Sequence, residues 1–599
     1  MLNQISTRTL PEHDRVSGTA ARGVLARLST PAIVDLAIAT AAVVLIASPL
    51  LFTADGFAPD FTNAMWLAGY QGHVIAAHLH PTLFLQAQQF GVFSPLFAFY
   101  GGTLFALTGA LAAVLGTVPA FEIVTVAAIA AAYGGLFWIA RQLGVRGAMA
   151  HAPALVFVTS AYYVTNLYGR GAWAEFIAVS QLPLVLAASL RLVRGRFSVG
   201  PVLCLVAASM VFSGSHNITL LWGSTLALVG LACYWLASGR SRELPWRRML
   251  AVVGLFALGV GLNGWFLLPD LSYAQKTIIS GHHIPWSDTG FFNTFGVIFD
   301  PLRTVPSAST TPALYVQAPV LALIWGLVAL PLVWRQRRLR AGVVTALAML
   351  GGLLVLIMSE SVYSALPNQY QQVQFAYRLQ TYMTLACAGL VLLGAVALTR
   401  RAERGRATLT DRRLALGLGL VVAFGVALSV WQLWVPNTHI QGGYFNSYAN
   451  RAEALSGPPT VLPASWNALD EYRDSSLPIV PATKELTFNP ESVKDNRIAG
   501  SAALPPQPFA TNISTGPYLV HVGGGVRVLG RNEAGVLVLQ RASTGSKPVR
   551  IELSAARSAP VMLGRIMTAA AGALLLALAA AATVRGLRRR RRSSTPPTA

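Results

Sequence analysis

Runs of about 20 apolar residues recur along almost the whole chain, and that is the length an α-helix needs to cross the hydrocarbon core of a bilayer. In the 599-residue sequence such runs start near Pro31, Pro119, Gly147, Trp173, Ser198, Ile218, Met249, Ala318, Ala341, Tyr377, Leu414 and Val561. Inside lipid every backbone amide must be satisfied within its own segment, so each run is expected as a helix. Only 11% of the residues are charged and the mean hydropathy is +0.54, against about 25% charged in soluble domains. A soluble globular enzyme and a disordered chain are both excluded. The first run lacks a small-residue cleavage site and reads as a retained helix rather than a cleaved signal.

The charge is lopsided: 45 Lys+Arg against 23 Asp+Glu, formally +22. Only Lys276, Lys484, Lys494 and Lys547 are lysines. The excess of Arg, with abundant Ala and Gly, suggests a GC-rich bacterial genome. On a soluble chain this charge would point to nucleic acid. Here the arginines fall between apolar runs: Arg194 and Arg196, Arg240 to Arg248, Arg335 to Arg340, Arg400 to Arg413 and Arg585 to Arg592. Basic connections mark the cytoplasmic side, so no nucleic-acid partner is expected. Alternation through these loops puts both termini in the cytoplasm of a bacterial plasma-membrane protein. It leaves residues 53–118, 166–173, 270–316, 359–377 and 435–557 outside. This parity holds only if residues 93–115 do not cross fully, so they are expected as a juxtamembrane or re-entrant helix. A full crossing would make 13 spans rather than 12.

The expected fold is a polytopic α-helical membrane protein of about 12–13 transmembrane helices, with a small extracytoplasmic β-rich domain before the last helix. Residues 1–30 form a cytoplasmic tail and 31–434 the transmembrane domain, with 53–118 as a long outer loop carrying juxtamembrane helices. Residues 435–557 are richer in Pro, Asn and Ser, and "YLVHVGGGVRVLG" and "GVLVLQR" alternate as half-buried strands do. Residues 558–585 form the last span, and 586–599 a basic disordered tail against anionic lipid. Cys204, Cys233 and Cys387 fit no metal or redox spacing and read as small core hydrophobes.

An ionisable residue near a membrane helix is a functional candidate by default. Here such residues gather at outer helix ends and in outer loops: Asp55 and Asp60; His73, His78 and His80; Arg170 and Glu175; His216; Asp270; Lys276, His282 and His283; and Arg378. Asp60 reads either as a helix N-cap or as a functional acid. Arg170 and Glu175 bracket a turn in "NLYGRGAWAEF", where a mutual ion pair is the simplest reading. Arg378, in "QFAYRLQ", opens a span from outside against the positive-inside tendency; snorkelling is the alternative.

The order of motifs resembles a known family. A first-loop Asp is followed by "GVFSPLFAFY", "YGRGAWAEF", "SHN", "LLPDL" and "QFAYRL", each at an outer helix end. This resembles bacterial membrane proteins labelled 6-pyruvoyl-tetrahydropterin synthase-related, and through them the GT-C superfamily of multispanning glycosyltransferases. The resemblance covers roughly residues 31–400, with "WNALDEYRD", including Glu471 and Tyr472, at the start of the outer β domain. It implies a polyprenyl-phosphate-linked sugar donor, an envelope glycan or lipid acceptor, and an essential acid in the first outer loop. By position Asp60 resembles that catalytic acid, with Asp55 as its competitor. Glu175 resembles a second-loop acid used for acceptor or metal, which makes a divalent cation a possible cofactor. Arg378 and Arg170 would face the donor phosphate, with His216 and Asp270 in the substrate site. The chain departs from the pattern in having no second acid paired with Asp60. Two other classes are a 12-helix transporter, which would show internal repeats and midplane sites, and a non-catalytic envelope-assembly protein.

Overall fold

The computed structural model describes residues 30–52, 59–85, 94–195, 197–238, 245–277, 294–303, 314–372, 376–434, 475–482, 484–488, 492–494, 497–513, 520–533, 535–542, 547–555 and 558–593. The helices of ten or more residues are α1 (Thr30–Phe52), α2 (Pro59–His78), α3 (Gly102–Leu115), α4 (Thr117–Gln142), α5 (Trp173–Arg194), α6 (Val199–Ser215) and α7 (Asn217–Ser238). They continue as α8 (Trp246–Gly261), α9 (Gly264–Tyr273), α10 (Arg337–Met358), α11 (Gln380–Glu403), α12 (Leu409–Trp434) and α13 (Ala559–Ser593). The chain is a multi-pass α-helical membrane protein with a strand-rich region before its last helix.

Among the described residues, eight helices are long and apolar enough to cross a membrane, or nine if α8 and α9, bent by 83°, count as one broken span. That is fewer than the twelve runs read from the sequence. The run at Gly147 breaks into a 3-10 turn, Ala152–Val158, Ala161–Val164 and a π turn over Thr165–Gly169. Thr159 and Ser160 cause the first break, since their hydroxyls bond back to the Leu155 and Phe157 carbonyls. The run at Ala318 splits into Val320–Val328 and Leu330–Trp334, where Pro331 lacks an N–H. The run at Ser198 gives only the 17-residue α6.

Residues 96–115 form Leu96–Phe99 and then α3, separated by Gly101 at φ +59°. With 14 residues, α3 rises about 21 Å, short of a core of about 30 Å. It lies against α2 at Gly109, where an added Cβ would stand 2.6 Å from Gln71 Cβ. Asp60 falls inside the first turn of α2 rather than at its cap. In the same way Gly135 of α4 abuts the backbone of Pro183 and Leu184 in α5, and this close approach sets how deep α5 lies.

Among the described residues, eight strands form two four-stranded sheets. One has the order β1 (Lys484–Leu486), β4 (Phe509–Thr511), β7 (Leu537–Arg541), β6 (Val526–Arg531). The other has the order β2 (Ser492–Lys494), β3 (Arg497–Ala502), β8 (Val549–Ala555), β5 (Val520–Gly524). Pairing is antiparallel except β1 with β4. Phe509, Leu539 and Ile551 share one apolar cluster with Phe84, Phe99 and Phe266, so this domain sits on α9 and the first loop. The helix α13 then packs on α9 with the Gly564 and Gly264 backbones in contact. Thr568 Oγ1 accepts the Trp265 N–H at 2.9 Å, capping the bend from a neighbouring helix.

One boundary differs from the sequence reading. α13 stays helical through the arginine run to Ser593, because Leu and Arg are good helix formers; only residues 594–599 of the expected tail lie outside the described residues. Residues 435–474, with Glu471 and Tyr472, also lie outside them, as do Asp55, His282 and His283.

Candidate functional site

The π turn over Thr165–Gly169 is closed by the Arg170 N–H donating to the Thr165 carbonyl at 2.8 Å. Such single wide turns often mark functional positions. Gly171, at φ +67°, then reverses the chain, and α5 starts at Trp173 with Glu175 in its first turn. Trp173 fixes that start: it stacks on Phe121 at 4.3 Å and donates its indole N–H to Thr125 at 2.9 Å. Phe121 in turn meets Phe61 edge-on at 5.0 Å. This ring chain ties the first turn of α2, which contains Asp60, to the first turn of α5.

The reversal drives Arg170 onto Glu175. Arg170 Nη1 stands 3.1 Å from Glu175 Oε2, with the two side chains only 9% and 5% exposed. The same nitrogen reaches Tyr162 Oη at 2.8 Å and Asn166 Oδ1 at 3.0 Å, and Tyr162 donates its hydroxyl to Glu175 Oε1 at 3.1 Å. Tyr377 lies under the guanidinium at 5.7 Å. From the other side Arg378 Nε approaches Glu175 Oε2 at 3.6 Å. One carboxylate thus holds two guanidiniums, leaving a net positive charge.

His216 stands at the break between α6 and α7. Its Nδ1 accepts the Thr219 backbone N–H at 3.2 Å and lies 2.8 Å from Thr219 Oγ1. Burial lowers His216 to about 4, with the Arg378 and Arg170 charges adding to the effect and Glu175 opposing it. At neutral pH the ring is therefore uncharged, and with Nδ1 accepting, Nε2 carries the proton. Next to it, Asn217 Nδ2 donates to Asp270 Oδ2 at 2.7 Å and to the Phe99 carbonyl at 2.9 Å. Glu175, His216, Thr219, Trp222, Arg378 and Tyr382 line a small cleft.

Four of the expected residues, Arg170, Glu175, His216 and Arg378, therefore converge, while Asp270 is held by Asn217, the chain neighbour of His216, and does not line the cleft. The carboxylate of Asp60 is not among the described side chains. The expectation that Glu175 holds a metal or acceptor meets a carboxylate already engaged by two arginines and a phenol. Among the described residues no group of three or more His, Cys, Asp or Glu could hold a metal ion. His78 and His80 are exposed at the end of α2, their rings 6.2 Å apart. Tyr162 and Tyr382 belong to the site but were hidden inside apolar runs, and Asn166 and Tyr377 stood in the outer segments without being singled out; the outward sign was the density of Tyr beside "YGRG" and "AYRL".

No family model matches the chain, and no curated protein does. Among solved structures it is similar to the arabinofuranosyltransferase AftD from Mycobacteria, with TM-score 0.39 and 18% identity over 67% of this chain. It spans 28% of the AftD chain. It is also similar to ArnT from Cupriavidus metallidurans in the apo state, with TM-score 0.35 and 14% identity over 88% of this chain and 100% of that one. The pterin-synthase-related label has no counterpart in these comparisons. Both TM-scores are below 0.5, so the functional reading rests on the site itself.

Proposed function

We propose that this chain is a membrane glycosyltransferase of the GT-C type. It transfers a sugar from a polyprenyl-phosphate donor to an envelope glycan or lipid acceptor on the outer face of the plasma membrane. The observation that carries the reading is the Arg170–Glu175–Arg378 cluster beside a cleft at the ends of apolar spans. A cationic, largely dry cleft at headgroup depth suits the phosphate of a lipid-borne donor. Arg supplies a fixed fork of donors for that group, and its charge opposes the negative charge that grows on the leaving phosphate.

The proposed step is an inverting displacement. A first-loop carboxylate, Asp60, takes the proton of the acceptor hydroxyl. The hydroxyl oxygen bonds to the anomeric carbon as the bond to phosphate oxygen breaks. The electron pair leaves with the phosphate, which Arg378 and Arg170 stabilise. Glu175 holds both guanidiniums in place, and the His216 Nε2–H donates to donor or acceptor oxygen.

The test is glycan and lipid-linked-sugar analysis of a deletion strain. Accumulation of one polyprenyl-phosphate sugar, reversed by the native chain but not by Asp60→Asn or Arg378→Gln at equal expression, is the expected result. An unchanged lipid-sugar profile in the deletion strain sinks the proposal.

A further inference from the structure

The helices that carry the cleft also carry a second cluster at their opposite ends. α5 begins at the turn with Glu175 and ends with Arg194; α11 begins beside Arg378 and ends with Arg400 and Glu403. Helices of 22 and 24 residues rise about 33–36 Å, close to the thickness of a bilayer core. The second cluster therefore lies on the membrane face opposite the cleft.

Several contacts gather it. Gln336, just before α10, donates to the Ala397 carbonyl of α11 at 3.1 Å, which brings Arg338 to the end of α11. Arg194 donates to the Gln142 carbonyl of α4 at 3.1 Å, and Arg146, following α4, stands 3.7 Å from Glu403. Arg194, Arg338 and Arg404 all act on Arg400 as neighbouring charges, with Glu403 the opposing acid. Arg400 is half-buried and makes no hydrogen bond or ion pair among the described residues. Its neighbour Arg401, by contrast, is paired with Asp411 at 3.1 Å. Four arginines thus gather at this end around Arg400, with Glu403 as the nearby acid, which Arg146 already shares.

Such a grouping repels itself unless an anion joins it. Each guanidinium offers five N–H donors in a plane shaped for phosphate oxygens. The depth is that of lipid headgroups: exposed Trp334 lies at this end, under Arg340 at 5.6 Å, as interfacial Trp residues do. We propose that Arg194, Arg338, Arg400 and Arg404 form a binding site for the phosphate headgroup of an anionic phospholipid in this leaflet. The site is separate from the cleft and stands whether or not the chain is a transferase.

The test is native mass spectrometry of the purified full-length protein in neutral detergent, titrated with phosphatidylglycerol or phosphatidylcholine. Phosphatidylglycerol is expected to be retained and phosphatidylcholine not. Removing a basic residue near an anionic lipid weakens binding roughly fivefold. The Arg338→Gln/Arg404→Gln variant, altered at exposed side chains that do not threaten folding, should lose about 25-fold on that scale. An Arg247→Gln/Arg413→Gln variant, with the same charge removed elsewhere, should lose no more than about threefold because of screening. Equal loss in both variants would mean a diffuse field and overturn the site. So would no loss in either, displacement by glycerol phosphate at the same concentration, or occupancy of the cluster by an acidic protein with no lipid retained.

Discussion

Arg170 Nη1 and Glu175 Oε2 stand 3.1 Å apart with almost no access to solvent, and Arg378 shares the same oxygen at 3.6 Å. Two buried cations thus depend on one carboxylate. Removing one partner of a buried pair leaves an uncompensated charge and costs about 3–5 kcal/mol, whereas replacing the whole pair by apolar groups is often neutral. Glu175→Gln should therefore unfold at a clearly lower temperature than the native protein, measured by differential scanning fluorimetry in detergent. Arg170→Met combined with Glu175→Leu leaves only Arg378 without its carboxylate and should be less destabilised than the sum of the two single variants. If the double variant is the sum of the singles, the pair is not coupled as described.

Tyr162 bridges the pair, accepting from Arg170 at 2.8 Å and donating to Glu175 at 3.1 Å. Tyr162→Phe keeps the ring but removes the bridge. Leaving buried polar partners short of a bond costs about 1–3 kcal/mol. A melting temperature indistinguishable from the native one would show that the phenol is not part of the network.

His216 gives a pH signature. Its folded value is lowered from 6.5 to about 4, so as pH falls the unfolded chain takes up this proton first. The stability from burying a neutral ring is intact above about pH 6.5 and is lost progressively as pH falls toward 4. Melting temperatures between pH 7.5 and 4.5 should drop less steeply in His216→Gln than in the native chain. Parallel curves would refute the assignment.

Asn217 spends both amide hydrogens, one on Asp270 and one on the Phe99 carbonyl. Asn217→Asp would take the amide donor away from both Asp270 and the Phe99 carbonyl, and the variant should be clearly destabilised. The swap, Asn217→Asp with Asp270→Asn, restores a donor to that pair and should recover much of the loss. Failure of the swap to improve on the single variant would argue against this bond.

The contact between α13 and α9 tests how the strand domain is held. A Cβ on Gly564 would press into the Gly264 carbonyl. Gly564→Val should part the two helices, and protease cleavage of the strand domain should speed up several-fold compared with Gly572→Val, whose site is open. Equal cleavage rates would show that α13 is not anchored there.

The membrane class, the helix-bearing runs and the strands of the last domain were legible in the sequence, because each depends on a local period: apolar length against bilayer thickness, or alternation along a strand. The runs at Gly147 and Ala318 were misread because apolar content alone ignores Thr159, Ser160 and Pro331, which break the helices. Arg170 and Glu175 could be suspected because they bracket a short turn that contains Gly171. The sequence by itself thus determined that the chain lies in a membrane and which few charges avoid the basic end. It did not show that Arg378 closes on Glu175, that Asn217 holds Asp270, or that Arg194, Arg338 and Arg400 gather. Those pairings depend on how helices rotate and how deep they sit. That is decided by close contacts between distant segments, such as Gly135 on Pro183 and Gly264 on Gly564, and no local period encodes it.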